Sequence, residues 1–560
     1  MNEIADILEM KDIEFKPRAY RKAARTVESL SQPIEDFYEK GELQELSGVG
    51  ASIAKKISEI IETGTSKYYE KLKTEIPADI EKLTAVEGMG PKTVEKLYKN
   101  LGVKTLEDLE QAAKEHKIQD IKGLGPKIEK NILERMDLAK RNKKSTLLGY
   151  ALSIAEDLKE RIKKELEVIN RIDVAGSLRR MKSTIGDIDI LVTSADVSKV
   201  VDYFTSMDDV REVLGKGKKK SSIILKSGLQ VDLRVVHKEN YGSALLYFTG
   251  SKDHNIKLRK IALDRGYKLS EYGLFKDGMK IAGKTEKEVY GKLNMDFIVP
   301  ELRENRGEIE AALQSKLPKL IAYDEILGDL QIHTKWSDGS GTIEEMARTA
   351  MKLNYKYICI SDHFGKMKIA GALDDKRLQK QLKEIERINS NLGDIEILKG
   401  AEVDIQADGS LDVNSKLLKE LDVVVASVHS RFDQSKKETT QRLVNVMDNE
   451  DVDIIGHPTG KKINQKKSMQ LDMDTIFEVS KRTGTFLEIN SCPERLDLDD
   501  VTAKAAVDAG CRLIINTDAH NKEHLKYMRL GIAQARRGWL ENKDVINTLS
   551  LNQLRKQLKS

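Results

Sequence analysis

Three cysteines in 560 residues, Cys359, Cys492 and Cys511, are too few and too scattered for a disulfide framework, and they point to a reducing compartment. No apolar run approaches the roughly 20 residues that a membrane-spanning helix needs. The opening Met-Asn-Glu-Ile-Ala-Asp lacks the basic and apolar segments of a secretory signal. The expectation is a cytoplasmic, monomeric chain with no membrane partner. Charge of one sign is also missing. Residues 1–320 carry 59 basic and 53 acidic side chains, the remaining 240 carry 36 and 38, and the net charge is +4. Nucleic-acid binding must therefore be argued from local patches rather than from the total. One such run, Lys216-Gly-Lys-Lys-Lys220, reads first as the solvated turn of a hairpin. What the chain does have is length for several domains and a 33% charged composition.

The most informative stretch is Gly176-Ser-Leu-Arg-Arg-Met-Lys-Ser-Thr-Ile-Gly-Asp187-Ile-Asp189-Ile-Leu-Val. Its end alternates polar and apolar residues, which predicts a half-buried strand. Residues two apart on a strand share a face, so Asp187 and Asp189 project together while Ile188 and Ile190 point into a core. Adjacent carboxylates repel unless a cation lies between them, and an all-oxygen site suits Mg²⁺. The Gly176-Ser177 turn offers N–H groups and a hydroxyl to phosphate oxygens, and Arg179 or Arg180 can add a charged pair. A helix from Leu147 to Leu166 is expected before it. A second acidic strand, from Ser222 to Val236, could bring Asp232 to the same face.

Before this stretch a phrase recurs three times: Gly48-Val-Gly50, Gly88-Met-Gly90 and Gly123-Leu-Gly125, each preceded by an apolar residue and followed by a helix pattern. Glycines admit close approach of a phosphate, and the next helix presents its N-terminal N–H groups to the anion. Such contacts grip a DNA backbone without reading its sequence. After residue 328 the pattern changes to alternating strands and helices. Of nine histidines, six lie here, and His333, His363, His429, His457 and His520 end or follow short apolar runs, as does Glu402. Imidazole and carboxylate together suit Zn²⁺, Mn²⁺ or Fe ions, and strand ends are where barrel active sites sit.

The Gly-Ser…Gly-Asp-Ile-Asp…Val-Asp-Leu-Arg pattern, with Tyr247-Phe-Thr-Gly250-Ser-Lys-Asp-His-Asn255-Ile-Lys-Leu-Arg259 after it, resembles the palm and thumb of family X DNA polymerases. The resemblance implies that Asp187, Asp189 and Asp232 hold two Mg²⁺ or Mn²⁺ ions. It gives Gly176, Ser177, Arg180 and Gly186 to the triphosphate of a dNTP. It places Tyr247, Phe248 and Gly250 under the sugar, Asn255 at the base and Arg259 on the template. The glycine copies resemble helix-hairpin-helix motifs. The first segment is similar to the polymerase beta lyase domain, with Lys56 matching its Schiff-base lysine and Lys16 and Tyr20 on matching positions. Ser52 stands where that family has a supporting lysine, so Lys56 reads equally as a phosphate contact.

The histidine set resembles the PHP phosphoesterase domain, implying ligands His333, Asp338, His363, Glu402, His429, His457, Asp518 and His520 for two or three Mn²⁺, Zn²⁺ or Fe ions. Gln331 replaces the first histidine of that family's His-x-His opening, which leaves an active and a purely structural PHP domain as alternatives. The expected fold is multidomain. Residues 1–80 and 81–145 are all-α helix-hairpin-helix units, 146–245 an α+β nucleotidyltransferase palm, and 246–316 a thumb. Residues 317–327 are a linker, and 328–560 a (β/α)-barrel-like PHP domain. The implied function is templated filling of short gaps in duplex DNA, with a Mn²⁺-dependent 3′-5′ exonuclease that also acts at abasic sites. A template-independent nucleotidyltransferase would share the same three carboxylates.

Overall fold

The computed structural model describes every residue except 29–33, 77–78, 85, 87–88, 127, 130–131, 133–144, 367–369, 414 and 560. The chain forms two compact units, residues 1–144 and 145–560.

The first unit is helical among its described residues. Pro91 and the left-handed Gly102 bracket the helix Pro91–Leu101, a proline-in, glycine-out signature that fixes both ends. Thr105 and Asp108 close a capping box at the start of Leu106–Lys114. Helices on either side of residue 80 share one core, in which Ile4, Leu8, Ile53 and Ile57 join Leu83, Val94, Leu97 and Leu109.

The second unit begins with the helix Leu148–Glu165, one residue inside the expected bounds at each end. It packs on a five-stranded sheet ordered Ile169–Val174, Asp187–Ser194, Gln230–Val235, Lys220–Leu225, Val210–Lys216. The expected single strand from Ser222 to Val236 is two strands. Gly228, at φ +91°, makes the turn between them, a backbone setting that side chains other than glycine's resist. The Lys216–Lys220 run is a hairpin turn, as expected. Two helices, Tyr241–Thr249 and Lys252–Asp264, and a three-stranded sheet from Lys268 to Ala282 follow. They are completed by Glu286–Lys292 and Glu308–Leu313 around a separate core of Leu258, Leu274, Tyr290 and Ile298.

Residues 317–327, expected as a linker, are packed down: Ile321 and Ile326 are buried and the Ile321 N–H donates to the Leu540 carbonyl at 3.0 Å. Seven parallel strands then follow in sequence order, from Gly328–Ile332 to Leu513–Asn516, with the short strand His363–Phe364 paired alongside. Runs such as Val423-Val-Val-Ala-Ser are buried throughout, as parallel strands covered on both faces require. The first strand meets the end of the last where the His333 N–H donates to the Ala519 carbonyl at 2.8 Å, so the sheet nearly closes as a barrel.

The barrel is not separate from the first sheet. Leu496 and Leu530 of the barrel are part of the core beneath Leu148–Glu165. Tyr150 donates to Glu494 at 2.8 Å. A buried ion cluster also joins barrel to thumb, Asp500 accepting from Arg537 at 2.7 Å and from Arg306 at 2.9 Å. Burial opposes ionisation there, yet the two guanidiniums lower the Asp500 carboxyl to about 2. An unfolded aspartate titrates near pH 4, so this group contributes stability above pH about 4 that is lost as pH falls towards about 2. The expected size is on the order of 2 kcal/mol. Calorimetry from pH 6 to pH 2 should show a steep fall in Tm for the native chain. In Asp500→Asn, Tm should start lower at neutral pH and fall less steeply.

Two candidate metal centres

In the first sheet the strands Asp187–Ser194 and Gln230–Val235 run parallel, and their register sets Asp189 directly beside Asp232. Asp187 lies two residues before Asp189 on the same face, while Ile188 and Ile190 are buried beneath. Burial and the charges of Asp187 and Asp232 push the Asp189 carboxyl up to about 7. Burial pushes Asp232 the same way, but Lys220 at 2.5 Å, with Ser222 and Gln230, holds it below the usual carboxylate range. Lys220 was legible only as part of a basic turn; hairpin register is what carries it to Asp232.

The Gly176 turn abuts these acids. It has φ +62°, and a Cβ there would lie 2.5 Å from Asp189 Oδ2, so both backbone and space demand glycine. Gly176–Arg179 forms a single helical turn that carries Ser177. Both arginines after it are engaged. Arg179 forks onto Glu286 at 2.6 and 2.8 Å, and Arg180 donates to Glu304 at 3.0 Å and to the Thr249 carbonyl. Gly186 is exposed, with open space before it.

The residues assigned to sugar, base and template gather beside this face. Tyr247 and Phe248 pack edge to face at 5.1 Å, and Arg234 lies over the Phe248 ring at 4.2 Å. Gly250, at φ +72°, leaves room for the Arg180 guanidinium, 3.1 Å from where a Cβ would stand. The Asn255 amide donates to the Tyr247 carbonyl at 2.7 Å, and Arg259 is exposed one turn further along the same helix. His254, just before Asn255, is fully buried against Glu308 and Tyr290, and is structural.

Three carboxylates on one face, one of them destabilised as an anion by the other two, are a donor set for hard divalent ions. With the Asp189 carboxyl pushed up to about 7, part of the population carries a proton there that a bound metal ion would displace. Calorimetric titration of the metal-free protein with Mg²⁺ at pH 7, in buffers of different ionisation enthalpy, should show proton release. Asp189→Asn should lack that component.

The second centre lies at the strand ends of the barrel. Glu402 is its hub: His333 and His363 lie 3.4 and 3.3 Å from Oε2, and His429 and His457 lie 3.5 and 3.3 Å from Oε1. Asp518 is 3.3 Å from His333, and Asp338 is 3.6 Å from His363 and 3.5 Å from His520. These spacings lie at or beyond the long end of the hydrogen-bond range. Two ligand atoms each about 2.1 Å from a tetrahedral ion lie about 3.4 Å apart, which is what the cluster shows. Two groups among the described residues bring one ligand atom from each member within 4.8 Å of the others: His333, Asp338, His363 and His520, and His363, Glu402 and His429. His333 Nδ1 and Nε2, His363 Nδ1 and Glu402 Oε1 are buried without a hydrogen-bond partner, as unfilled ligands would be. So are both amide atoms of the fully buried Gln331, whose Oε1 lies close to Gly456, the residue before His457. An amide oxygen is a neutral donor, and the residues present fit a multi-metal site.

The electrostatics agree. Against burial, Glu402 and Asp404 raise His429 to about 9, and Asp338 and Asp518 raise His520 to about 9. Burial, helped by Arg495, lowers His457 to about 4. Asp404, which holds the His429 ring at 3.3 Å, and Arg495, 3.7 Å from Asp518, were missed by sequence reasoning, since neither lies in a recognisable motif.

In the first unit Gly48 and Gly123 take left-handed φ of +82° and +88°. Gly50, Gly90 and Gly125 have open space where a Cβ would stand, leaving room for a phosphate. Gly88 lies outside the described residues. Lys56 donates to both the carbonyl and the hydroxyl of Ser52 at 3.0 Å and lies over the rings of Tyr68 and Tyr20 at 4.8 and 5.9 Å. Burial and the neighbouring Lys16 charge lower its pKa, the direction an amine nucleophile needs.

Family models match along the chain: a helix-hairpin-helix domain at 1–66, a SAM-like helix-hairpin-helix tandem at 80–136, the DNA polymerase beta palm at 153–249 and thumb at 244–304, and a PHP domain at 329–492. The DNA polymerase/3′-5′ exonuclease PolX of Bacillus subtilis (strain 168) is 38% identical over 564 residues, covering 100% of this chain and 98% of that protein. A Thermoanaerobacter sp. (strain X514) protein named "Probable phosphatase" is 34% identical over 34% of this chain and 78% of its own length. DNA polymerase lambda of Rattus norvegicus is 26% identical over 52% of this chain and 53% of its own.

Proposed function

The chain belongs to the family X DNA polymerases that carry a PHP domain, and from that premise we propose that it fills short gaps in damaged DNA and trims the 3′ ends it extends. It is a DNA polymerase with a 3′-5′ exonuclease, it uses divalent metal ions, and it acts on DNA with deoxynucleoside triphosphates. No helix among the described residues is long and apolar enough to cross a membrane.

The observation that carries the finer reading is the register of Asp187 and Asp189 beside Asp232, next to a glycine turn made for phosphate. In the proposed reaction the primer 3′-hydroxyl attacks the α-phosphate of the incoming nucleotide and pyrophosphate leaves. Asp187 and Asp189 would hold two ions, Mg²⁺ or Mn²⁺; Asp232 would share one of them and assist removal of the hydroxyl proton. The ions supply charge neutralisation to the attacking and leaving oxygens. Ser177, Arg180 and the backbone of Gly176 and Gly186 orient the triphosphate. Tyr247, Phe248 and Gly250 support the sugar, and Asn255 and Arg259 read a paired base and template. The exposed position of Arg259, one turn from Asn255, favours templated synthesis over template-independent transfer.

The barrel site would hold two or three ions, of which Mn²⁺ is proposed, through His333, Asp338, His363, Glu402, His429, His457, Asp518 and His520. The convergence of His333, Asp338, His363 and His520, and of His363, Glu402 and His429, supports an active domain despite Gln331. Action on abasic sites, a role for Lys56 as lyase nucleophile or as a plain phosphate contact, work as a cytoplasmic monomer, and division at residues 80, 145, 245, 316 and 327, with the segment between the last two packed down rather than free, complete the proposal.

The two activities should separate by mutation. On 5′-labelled primer over a gap, Asp189→Asn or Asp232→Ala should reduce dNTP-dependent extension at least about a thousandfold while Mn²⁺-dependent shortening persists. His363→Ala should do the reverse. Shortening that survives His363→Ala, or extension that survives Asp232→Ala, would overturn the respective assignment.

A further inference from the structure

Arg180 is not free to swing. Its Nε is held by Glu304 Oε1 at 3.0 Å, and a terminal nitrogen by the Thr249 carbonyl. Glu304 serves a second arginine, which comes from the barrel. Arg537, at the end of the helix Met528–Arg537, donates to the same Glu304 oxygen at 3.1 Å and to the main-chain carbonyl of Arg180 at 2.7 Å. Its other terminal nitrogen is fixed by Asp500 at 2.7 Å, and Asp500 by Arg306 at 2.9 Å. Arg537 is 5% exposed, and the Glu304 side chain 12%.

Two guanidiniums thus share one buried carboxylate. Charges about 3 Å apart away from water interact strongly, so the sharing of Glu304 between the two guanidiniums sets how far the field of Arg180 is compensated. If Glu304 had Arg180 alone, it would neutralise it. In the cluster Arg180, Arg537 and Arg306 carry three positive charges against the two negative charges of Glu304 and Asp500, so one positive charge is left over for a triphosphate, and removing Arg537 would cancel it. The bond from Arg537 to the Arg180 carbonyl also fixes the backbone that follows the Gly176-Ser177 turn. Planar, forked donors suit this shared geometry, and a lysine would not reproduce it.

We propose that Arg537 is a positioning residue of the polymerase nucleotide site, a barrel residue that sets the direction and free charge of the Arg180 guanidinium presented to the triphosphate. The proposal rests on the reading of Arg180 as a triphosphate contact. It makes the polymerase site incomplete without the barrel. Arg537 touches no nucleotide; it acts through Glu304 and the Arg180 backbone.

The test is single-turnover filling of a one-nucleotide gap by the full-length protein, with the nucleotide Kd and the maximal rate measured separately. Arg537→Met should raise Kd roughly tenfold, the scale of one lost hydrogen bond between charged groups, with the rate changed less than about threefold. Mn²⁺-dependent shortening by the same protein should be unchanged. Arg537→Lys, which keeps charge and loses the fork, should fold and raise Kd about threefold. The pair Arg537→Met with Glu304→Gln leaves no unpaired buried carboxylate. In the Glu304→Gln background the added effect of Arg537→Met should shrink, since coupled residues are not additive.

A Kd within twofold of wild type in Arg537→Met or Arg537→Lys, while Arg180→Ala raises it, would overturn the proposal. Parallel losses of affinity, rate and exonuclease would also overturn it, by showing a merely structural role. No effect of Arg180→Ala would instead bring down the nucleotide reading on which the proposal stands.

Discussion

Like charges brought together out of water are the constraint around which both centres are built. In the palm, three aspartates converge because two parallel strands are locked in one register, and that register is fixed by the apolar residues alternating with the acids. The sheet core and the anionic face are therefore one pattern seen from two sides. In the barrel, Glu402 sits buried among four imidazoles, each within 3.5 Å of its oxygens. Both arrangements call for compensating cations, and the molecule supplies some of its own. Lys220 takes up part of the charge on Asp232, and His429 and His520 rise toward the protonated form.

Much of this could be read from the chain alone, because short-period signals carry it. Asp187 and Asp189 are two apart on an alternating run, and the glycine copies repeat with their flanks. The barrel histidines end apolar runs, which is where parallel strands deliver side chains to a site. What could not be read depends on register between distant segments. Lys220 reaches Asp232 only through a hairpin whose turn at Gly228 the alternation did not mark. Asp404 and Arg495 adjust the ligands without belonging to a motif, and the Arg179–Glu286 pair, which Arg303 backs, spans 107 residues.

The segment 317–327, expected as a linker, packs against the barrel for a related reason. Its composition is mixed, but Ile321 and Ile326 find apolar partners in the barrel, and a β-bridge joins Leu320 to Glu541. A segment looks like a tether in sequence whenever its partners are far along the chain.

The palm core completed by Leu496 and Leu530 has a consequence on the scale of gene architecture. A polymerase core that borrows apolar side chains from the following domain cannot be inherited or discarded as a free-standing cassette. Loss of the barrel by truncation would strip cover from the helix Leu148–Glu165 and leave a sticky surface. Any lineage that shed the barrel would first have had to rewrite that surface in polar residues. Lineages without those changes should retain the barrel even where its own chemistry is no longer selected.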